Sequence, residues 1–292
     1  MGVRPAMTMP VRYAVLFKAF FLDDFVRRRL AHVVAAAPGG DVHLLLDETA
    51  AAAGPSDFPR IIRYRDADIA ALGFLPCGQG SLAWYNADYP LYLFRHLHPQ
   101  YDDIVVVEYD AVPGIGLDRL VAECRAERVD FVGQPIAKTV DAYWWTSTML
   151  QFYRRAEIRP TLICAAYFSA AAVRHLAACR LRQGAGHDPR AAQSWPIGET
   201  FVGTEIGVAG LRQRDLASFG PLRRYDWWPP VHEAELAQCA GEVFVHPVLH
   251  GRRYLRSLFK NGALPGLVAL ARALRATSFP ARRTAGGTTK TA

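Results

Sequence analysis

The first pattern along the chain is a continuous apolar run, "YAVLF" at residues 13 to 17. Such a run, too short for a buried helix and lacking alternation, predicts a strand covered on both faces. A helix is expected next. Asp23 or Asp24 is placed to cap it, and Phe25, Leu30, Val33 and Val34 approximate one apolar helical stripe that Pro38-Gly39-Gly40 terminates. "DVHLLLDE" at 41 to 48 repeats the strand pattern and finishes in Asp47 and Glu48, and "RIIRY" at 60 to 64 predicts a third strand. Helical and mixed segments run to His98-Pro99, with His96 and His98 expected in a loop. Then "DDIVVVEYDAVPG" at 102 to 114 sets Ile104, Val105, Val106 and Val107 directly before Glu108-Tyr109-Asp110. Continuously apolar strands alternating with helices predict an α/β domain on a mostly parallel sheet flanked by helices.

The second half is less regular. "DFVGQPI" at 130 to 136 predicts a strand, and "LICAAYFSAAAVRHLAA" a strand running into a helix. Residues 180 to 196 read as a loop, "GETFVGTEIGVAG" (198 to 210) as a helix ending near Gly210, and "VFVHPV" (243 to 248) as a short strand. The expected organisation is one domain over residues 1–250, a basic amphipathic segment over 251–278 and a disordered tail over 279–292.

Charge changes the picture once it is located. Of the 34 Lys and Arg residues, nine lie between Gly251 and Ala292, where there are no acids. The other 25 face 27 acidic residues, so the body carries −2 and the whole +7 excess is caudal. A body without a basic field argues against nucleic-acid binding. A basic tail with Leu255, Leu258 and Phe259 on one helical side instead suits an anionic membrane surface. No apolar run reaches the ~18 residues of a membrane span. The N-terminus lacks a secretory pattern, because Lys18 and Asp23-Asp24 bracket its most apolar stretch. Five scattered cysteines (77, 124, 164, 179, 239) fit reduced thiols. The expected location is cytoplasmic, with peripheral attachment to the inner face of the membrane through the tail.

Candidate chemistry gathers at 108 to 110. Side chains alternate along a strand, so Glu108 and Asp110 point to one side. Two oxygen ligands at the C-terminal edge of a parallel sheet suit a hard divalent cation, Mg²⁺ or Mn²⁺, bridging to a diphosphate. The alternative is that Glu108 begins a turn and Asp110 caps the next segment. Asp66-Ala67-Asp68 has the same spacing, but capping explains it. Asp102-Asp103 precedes the strand, at the wrong edge.

An apolar strand closing in acid-x-acid within an α/β domain resembles the nucleotide-sugar glycosyltransferases of the GT-A fold. The likeness extends through "WYNADYPLYLFRHLHPQYDDIVVVEYD" (84 to 110), "DVHLLLDE" and "PIGETFVGTEIGVAG". It is similar to an uncharacterised glycosyltransferase-like family with a Trp-Tyr-Asn-x-Asp-Tyr-Pro element, a His-Pro and a Glu-x-Asp strand, over roughly residues 12–250. The resemblance implies a nucleotide-diphosphate sugar donor and a glycan or lipid-linked acceptor. It places a metal at Glu108 and Asp110, with His246 completing the site, and Lys18, Asp47, Asn86 and Asp88 near the nucleotide or donor sugar. Glu199 would face the acceptor, where a carboxylate can deprotonate a hydroxyl; a helix N-terminal acid is the other reading. Trp144-Trp145 and Trp227-Trp228 would line an acceptor groove or be buried under loops.

Glu rather than Asp at 108 departs from the commoner pattern and leaves open a metal-independent enzyme, with Arg223-Arg224 or Arg252-Arg253 neutralising the leaving group. Two rival readings remain. A nucleotidyltransferase should carry a Gly-rich basic loop after the first strand, whereas "FKAFFLDDF" has one Lys and no Gly. A catalytically degenerate protein of the same fold would bind glycan or nucleotide without turnover.

Overall fold

Apolar runs become the central strands because only there are both faces covered. The computed structural model describes residues 12–75, 81–187 and 195–260. β1 (Tyr13–Ala19) is buried at every position. α1 (Asp24–Ala36) starts where the Asp23 side chain accepts a hydrogen bond from Val26 N at 3.0 Å, and it turns Phe25, Val26, Leu30 and Val33 inward. β2 (Gly40–Asp47) and β3 (Ile61–Tyr64) follow, then α2 (Asp66–Ala71), where the Asp68 carboxylate accepts from Arg65 N at 2.7 Å. α3 (Leu82–Tyr85) and α4 (Tyr89–Leu97) lead into β4 (Asp103–Glu108). His96 lies in the last turn of α4 and His98 caps it, so the expected loop there is a helix end.

Beyond β4 come β5 (Val112–Pro113), α5 (Leu117–Ala126), β6 (Phe131–Pro135), β7 (Thr161–Ser169) and α6 (Ala170–Ala185). α6 therefore extends into the stretch expected as a loop, of which residues 188–194 lie outside the described residues. α7 (Gly198–Val208), β8 (Gln213–Asp215), β9 (Val231–His232), β10 (Phe244–Val245), β11 (Val248–Leu249) and α8 (Gly251–Lys260) complete the chain. The single strand expected over 243–248 is thus two short strands either side of His246-Pro247.

Seven strands form one sheet in the order β3-β2-β1-β4-β7-β6-β8, in which β7 alone runs antiparallel to its neighbours. One face packs Val15, Phe17, Val105 and Val107 against α1 and α5 through Leu30 and Leu120. The other packs Ala14, Leu16, Ile104 and Val106 against α4, α6 and α7 through Phe94, Leu176 and Phe201. From β1 the chain builds outward to β2 and β3, then returns to place β4 on the other side of β1. This reversal is the topological switch point where open α/β sheets bind ligands, at the C-terminal strand ends.

The second core contains one fully buried ion pair. Arg180 of α6 donates from Nε and Nη2 to the two Asp88 oxygens at 2.8 and 3.0 Å, and from Nη1 to Pro196 O at 2.9 Å. Tyr92 OH donates to the same Asp88 carboxylate at 2.8 Å. At the other end of the chain, α8 buries Leu258 and Tyr254 beside Leu249, while Arg253 pairs with Asp23 at 2.8 Å. Leu255 and Phe259 stay exposed, so the stripe expected from Leu255, Leu258 and Phe259 is divided between core and solvent. The remainder of the expected basic segment and tail, 261–292, lies outside the described residues.

Removing one member of a buried charge pair strands the other. Asp88→Ala is expected to lower unfolding free energy by about 3–5 kcal/mol in urea titration. The double change Asp88→Leu with Arg180→Met should cost less than either Asp88→Ala or Arg180→Ala.

Candidate active site at the β1–β4 switch point

The parallel register sets Lys18 of β1 directly beside Glu108 of β4. Lys18 is almost fully buried; its Nζ donates to Ala87 O at 2.8 Å and to Glu108 Oε1 at 3.1 Å. Asp110 lies just past the strand end. β5 then pairs antiparallel with β10, Phe244 opposite Pro113 and Val245 opposite Val112, and this carries His246 onto the same edge. His246 N donates to Arg224 O and Val248 N to Asp110 O, each at 2.8 Å, fixing the segment against the strand end. Its Nε2 then sits 3.7 Å from Asp110 Oδ1.

Glu199 arrives from the first turn of α7. Gly198 before it packs so closely that a Cβ there would lie 2.6 Å from Asp88 Oδ1 and 3.0 Å from Ala87 N. The buried Asp88–Arg180 pair and the Ala87 carbonyl therefore fix both Lys18 and the start of α7. Lys18, Glu108, Asp110, Cys164, Glu199 and His246 line one cavity of about 600 Å³, a size that suits a small-molecule ligand.

Burial and mutual repulsion divide the three carboxylates. Burial pushes Glu108 up, but the Lys18 ammonium, with His246, outweighs it and holds Glu108 below its usual range. Asp110 is raised to about 6, chiefly by burial and then by the Glu108 charge, against the pull of His246. Glu199 is raised to about 8 by burial and by Glu108, with Lys18 partly offsetting. Burial also lifts the Cys164 thiol well above its ordinary value.

The residues fit a divalent cation. Asp110 Oδ1 is buried without a hydrogen-bond donor, an arrangement that is costly unless something positive meets it. His246 Nδ1 is 2.8 Å from Asp226 O, which can only accept, so Nδ1 carries a proton and Nε2 is the nitrogen that faces Asp110, where a cation could take its place beside the carboxylate. Ligand atoms of Glu108, Cys164 and His246 lie within 4.8 Å of one another. With Asp110 Oδ1 3.7 Å from His246 Nε2 beside that group, the donors are carboxylate, thiol and imidazole, a mixture that suits Mn²⁺ better than the strictly oxygen-loving Mg²⁺.

Not every sequence candidate faces the cavity. Asp47 closes its own turn, accepting from Thr49 N at 2.8 Å. Asp88 is occupied by Arg180 and Tyr92. Asn86 is buried beside cavity-lining Ala87, and its Nδ2 has no partner. Neither arginine pair lines the cavity: Arg223 pairs with Glu242 at 3.1 Å and Arg253 with Asp23. Among the described residues the cavity's lysines are Lys18, Lys138 and Lys260; Lys138 is marked by no local motif, and Lys260 lies in the segment expected to be amphipathic. Cys164 was likewise hidden within the apolar run of β7.

Tryptophans form the rim. Trp84, Trp144 and Trp227 line the cavity and stay 53%, 53% and 43% exposed, unusual for so large an apolar ring. Trp84 meets Trp145 edge-on at 5.5 Å, and Trp144 meets Trp227 edge-on at 5.7 Å. Trp228 faces elsewhere, with its indole nitrogen buried.

No known protein family matches the sequence. No curated protein matches it either. Among solved structures, the chain is similar to mouse xyloside xylosyltransferase 1 in its apo form, with a TM-score of 0.44 and 12% identity over 81% of this chain and 97% of that one. It is also similar to an active-site mutant of LgtC, with a TM-score of 0.41 and 11% identity over 78% of each chain.

The raised Glu199 fixes a sign. A carboxyl whose pKa rises from 4.5 to about 8 on folding stabilises the protein at low pH and loses that contribution as pH climbs between those values. Glu199→Gln should therefore match wild type in melting temperature near pH 4.5 and exceed it at pH 8, by at least the 2–4 °C that about 1 kcal/mol produces in a large domain.

Proposed function

We propose that this protein is a glycosyltransferase that moves a sugar from a nucleotide-diphosphate donor to a glycan or lipid-linked acceptor. The observation that carries the reading is the gathering of Glu108, Asp110 and His246 in one cavity at the β1–β4 switch point, with Asp110 Oδ1 buried 3.7 Å from His246 Nε2 and lacking a hydrogen-bond donor. These three residues would hold Mn²⁺, which supplies charge neutralisation to a bound diphosphate. The GT-A resemblance of the Glu-x-Asp strand points the same way.

Each remaining residue has a task in that chemistry. In transfer, the bond between the anomeric carbon and the diphosphate oxygen breaks and its electron pair leaves with the nucleoside diphosphate. A new bond forms to the acceptor oxygen, whose proton must be taken up. Glu199 lines the same cavity, and with its pKa raised to about 8 its ionised form, the minor one at neutral pH, is a stronger base than an ordinary carboxylate. Lys18 keeps Glu108 ionised. Exposed indoles offer flat apolar surfaces to the C–H faces of sugar rings. Leu255 and Phe259, exposed on α8 beside Arg252, Arg256 and Lys260, support peripheral attachment to an anionic membrane surface, where a lipid-linked acceptor would lie. No described helix is long and apolar enough to cross a membrane.

The Lys18–Glu108 contact favours a second reading in which the ammonium itself neutralises the site and transfer proceeds without a metal. Release of nucleoside diphosphate from a panel of uridine, guanosine, thymidine and adenosine diphosphate sugars, with Mn²⁺ or with chelator, tests both. One donor should turn over, Asp110→Ala should reduce the Mn²⁺-dependent rate about 10–100-fold, and Glu199→Gln should reduce transfer to acceptor. Equal rates in chelator would select the metal-independent form. No turnover of any donor would leave the degenerate binding protein in its place.

A further inference from the structure

The cavity has an uneven charge. Glu108, Asp110 and Glu199 cluster at the sheet edge, where Lys18 is already committed to Glu108 and to Ala87 O. The other two cations, Lys138 and Lys260, have no carboxylate within 4.0 Å among the described residues. Lys138 instead lies over aromatic faces, its Nζ 3.9 Å from the Trp144 ring centroid and 5.4 Å from that of Trp227.

That placement has consequences for a ligand. An ammonium has three donors, and an aromatic face satisfies none of them by a hydrogen bond to oxygen. Cation–π attraction at an exposed site contributes less than a charge-assisted hydrogen bond can add. The two indoles restrict where the side chain sits, so the entropic cost of presenting the charge is already met in the free protein. A sugar ring stacked on Trp144 or Trp227 would bring its own substituents within reach of Nζ.

We propose that the rim selects a saccharide bearing an anionic group, a carboxylate or a phosphate, and that Lys138 is the residue that determines this specificity. Lys138 attracts the ligand's charge at the rim, while at the sheet edge Lys18 is committed to Glu108 and offers no second site for it. This orients the sugar with its anion outward and its free hydroxyls toward Glu199. A charge placed in this way fixes register more than it adds affinity. The proposal rests on the saccharide-transfer reading of the cavity, but its test requires no turnover.

The rim tryptophans supply the signal. Quenching of tryptophan fluorescence would be titrated on the full chain with a glucuronate-containing disaccharide, its methyl ester and a disaccharide phosphate. The ester keeps the shape and removes the charge. Wild type should bind the acid about fivefold more tightly than the ester, a ratio equivalent to roughly 1 kcal/mol, and added salt should erase the difference. Lys138→Gln should remove the discrimination and Lys138→Arg should keep it. The tighter of the uronate and the phosphate identifies the anion. Equal binding of acid and ester by wild type, or discrimination that survives Lys138→Gln, would overturn the proposal. Nucleoside diphosphate binding without any saccharide binding would overturn it and leave the transferase reading standing. Discrimination without nucleotide binding would support it in a glycan-binding protein and remove the transferase reading.

Discussion

A buried lysine paired with a glutamate across two parallel strands is the constraint on which the candidate site depends. Lys18 and Glu108 face each other because β1 and β4 are in register and both strands turn the same alternate residues toward one core. A strand that is apolar along its length can end in charge only where the sheet edge opens to a cavity and a counter-charge waits. Here the ammonium meets both conditions. Burial raises all three acids in the cavity; Lys18 reverses the rise at Glu108, and the charge kept there adds to the rise at Asp110 and Glu199. Burial and one cation together separate three carboxylates into different protonation ranges. Such division is the usual way a site obtains both a ligand and a base from the same residue type.

The pieces that complete the site come from far along the chain, and each is fixed by an interaction outside the cavity. The β5–β10 pairing brings His246 to Asp110 across more than a hundred residues of sequence. Gly198 allows α7 to begin against Ala87 and Asp88, which places Glu199 on the same side as Lys18. Asp88 holds this junction because Arg180 and Tyr92 satisfy its carboxylate in the core. Structural groups therefore lie directly beside the chemical ones: Ala87 O and Asp88 of the "YNADYP" stretch hold Lys18 and the start of α7 in place.

That proximity explains what the sequence made legible. β1, β2 and β4 were readable because doubly covered strands are apolar throughout, β3 from the short Ile61-Ile62 run at the sheet edge, and Glu108, Asp110 and Lys18 because they close covered strands at the ligand edge. The antiparallel direction of β7 was not readable, since burial has no polarity along the chain. Two-residue strands such as β9, β10 and β11 carry no periodicity at all. Asp88 looked available because its partner is 92 residues away, in a stretch that reads as a loop. Lys138 was invisible for the converse reason: nothing in "IAKTVDAYWW" tells that the chain folds the lysine back onto Trp144 and Trp227.

The central claim is that the switch-point cluster receives a nucleoside diphosphate through a cation held by Asp110. Thermal stabilisation by uridine, guanosine, thymidine and adenosine diphosphates, with and without Mn²⁺, on wild type and Asp110→Ala, tests it most directly. The account predicts that one nucleotide raises the wild-type melting temperature in the presence of Mn²⁺ and that Asp110→Ala abolishes the shift. Absence of a shift with every nucleotide, or a shift that Asp110→Ala leaves intact, would contradict it.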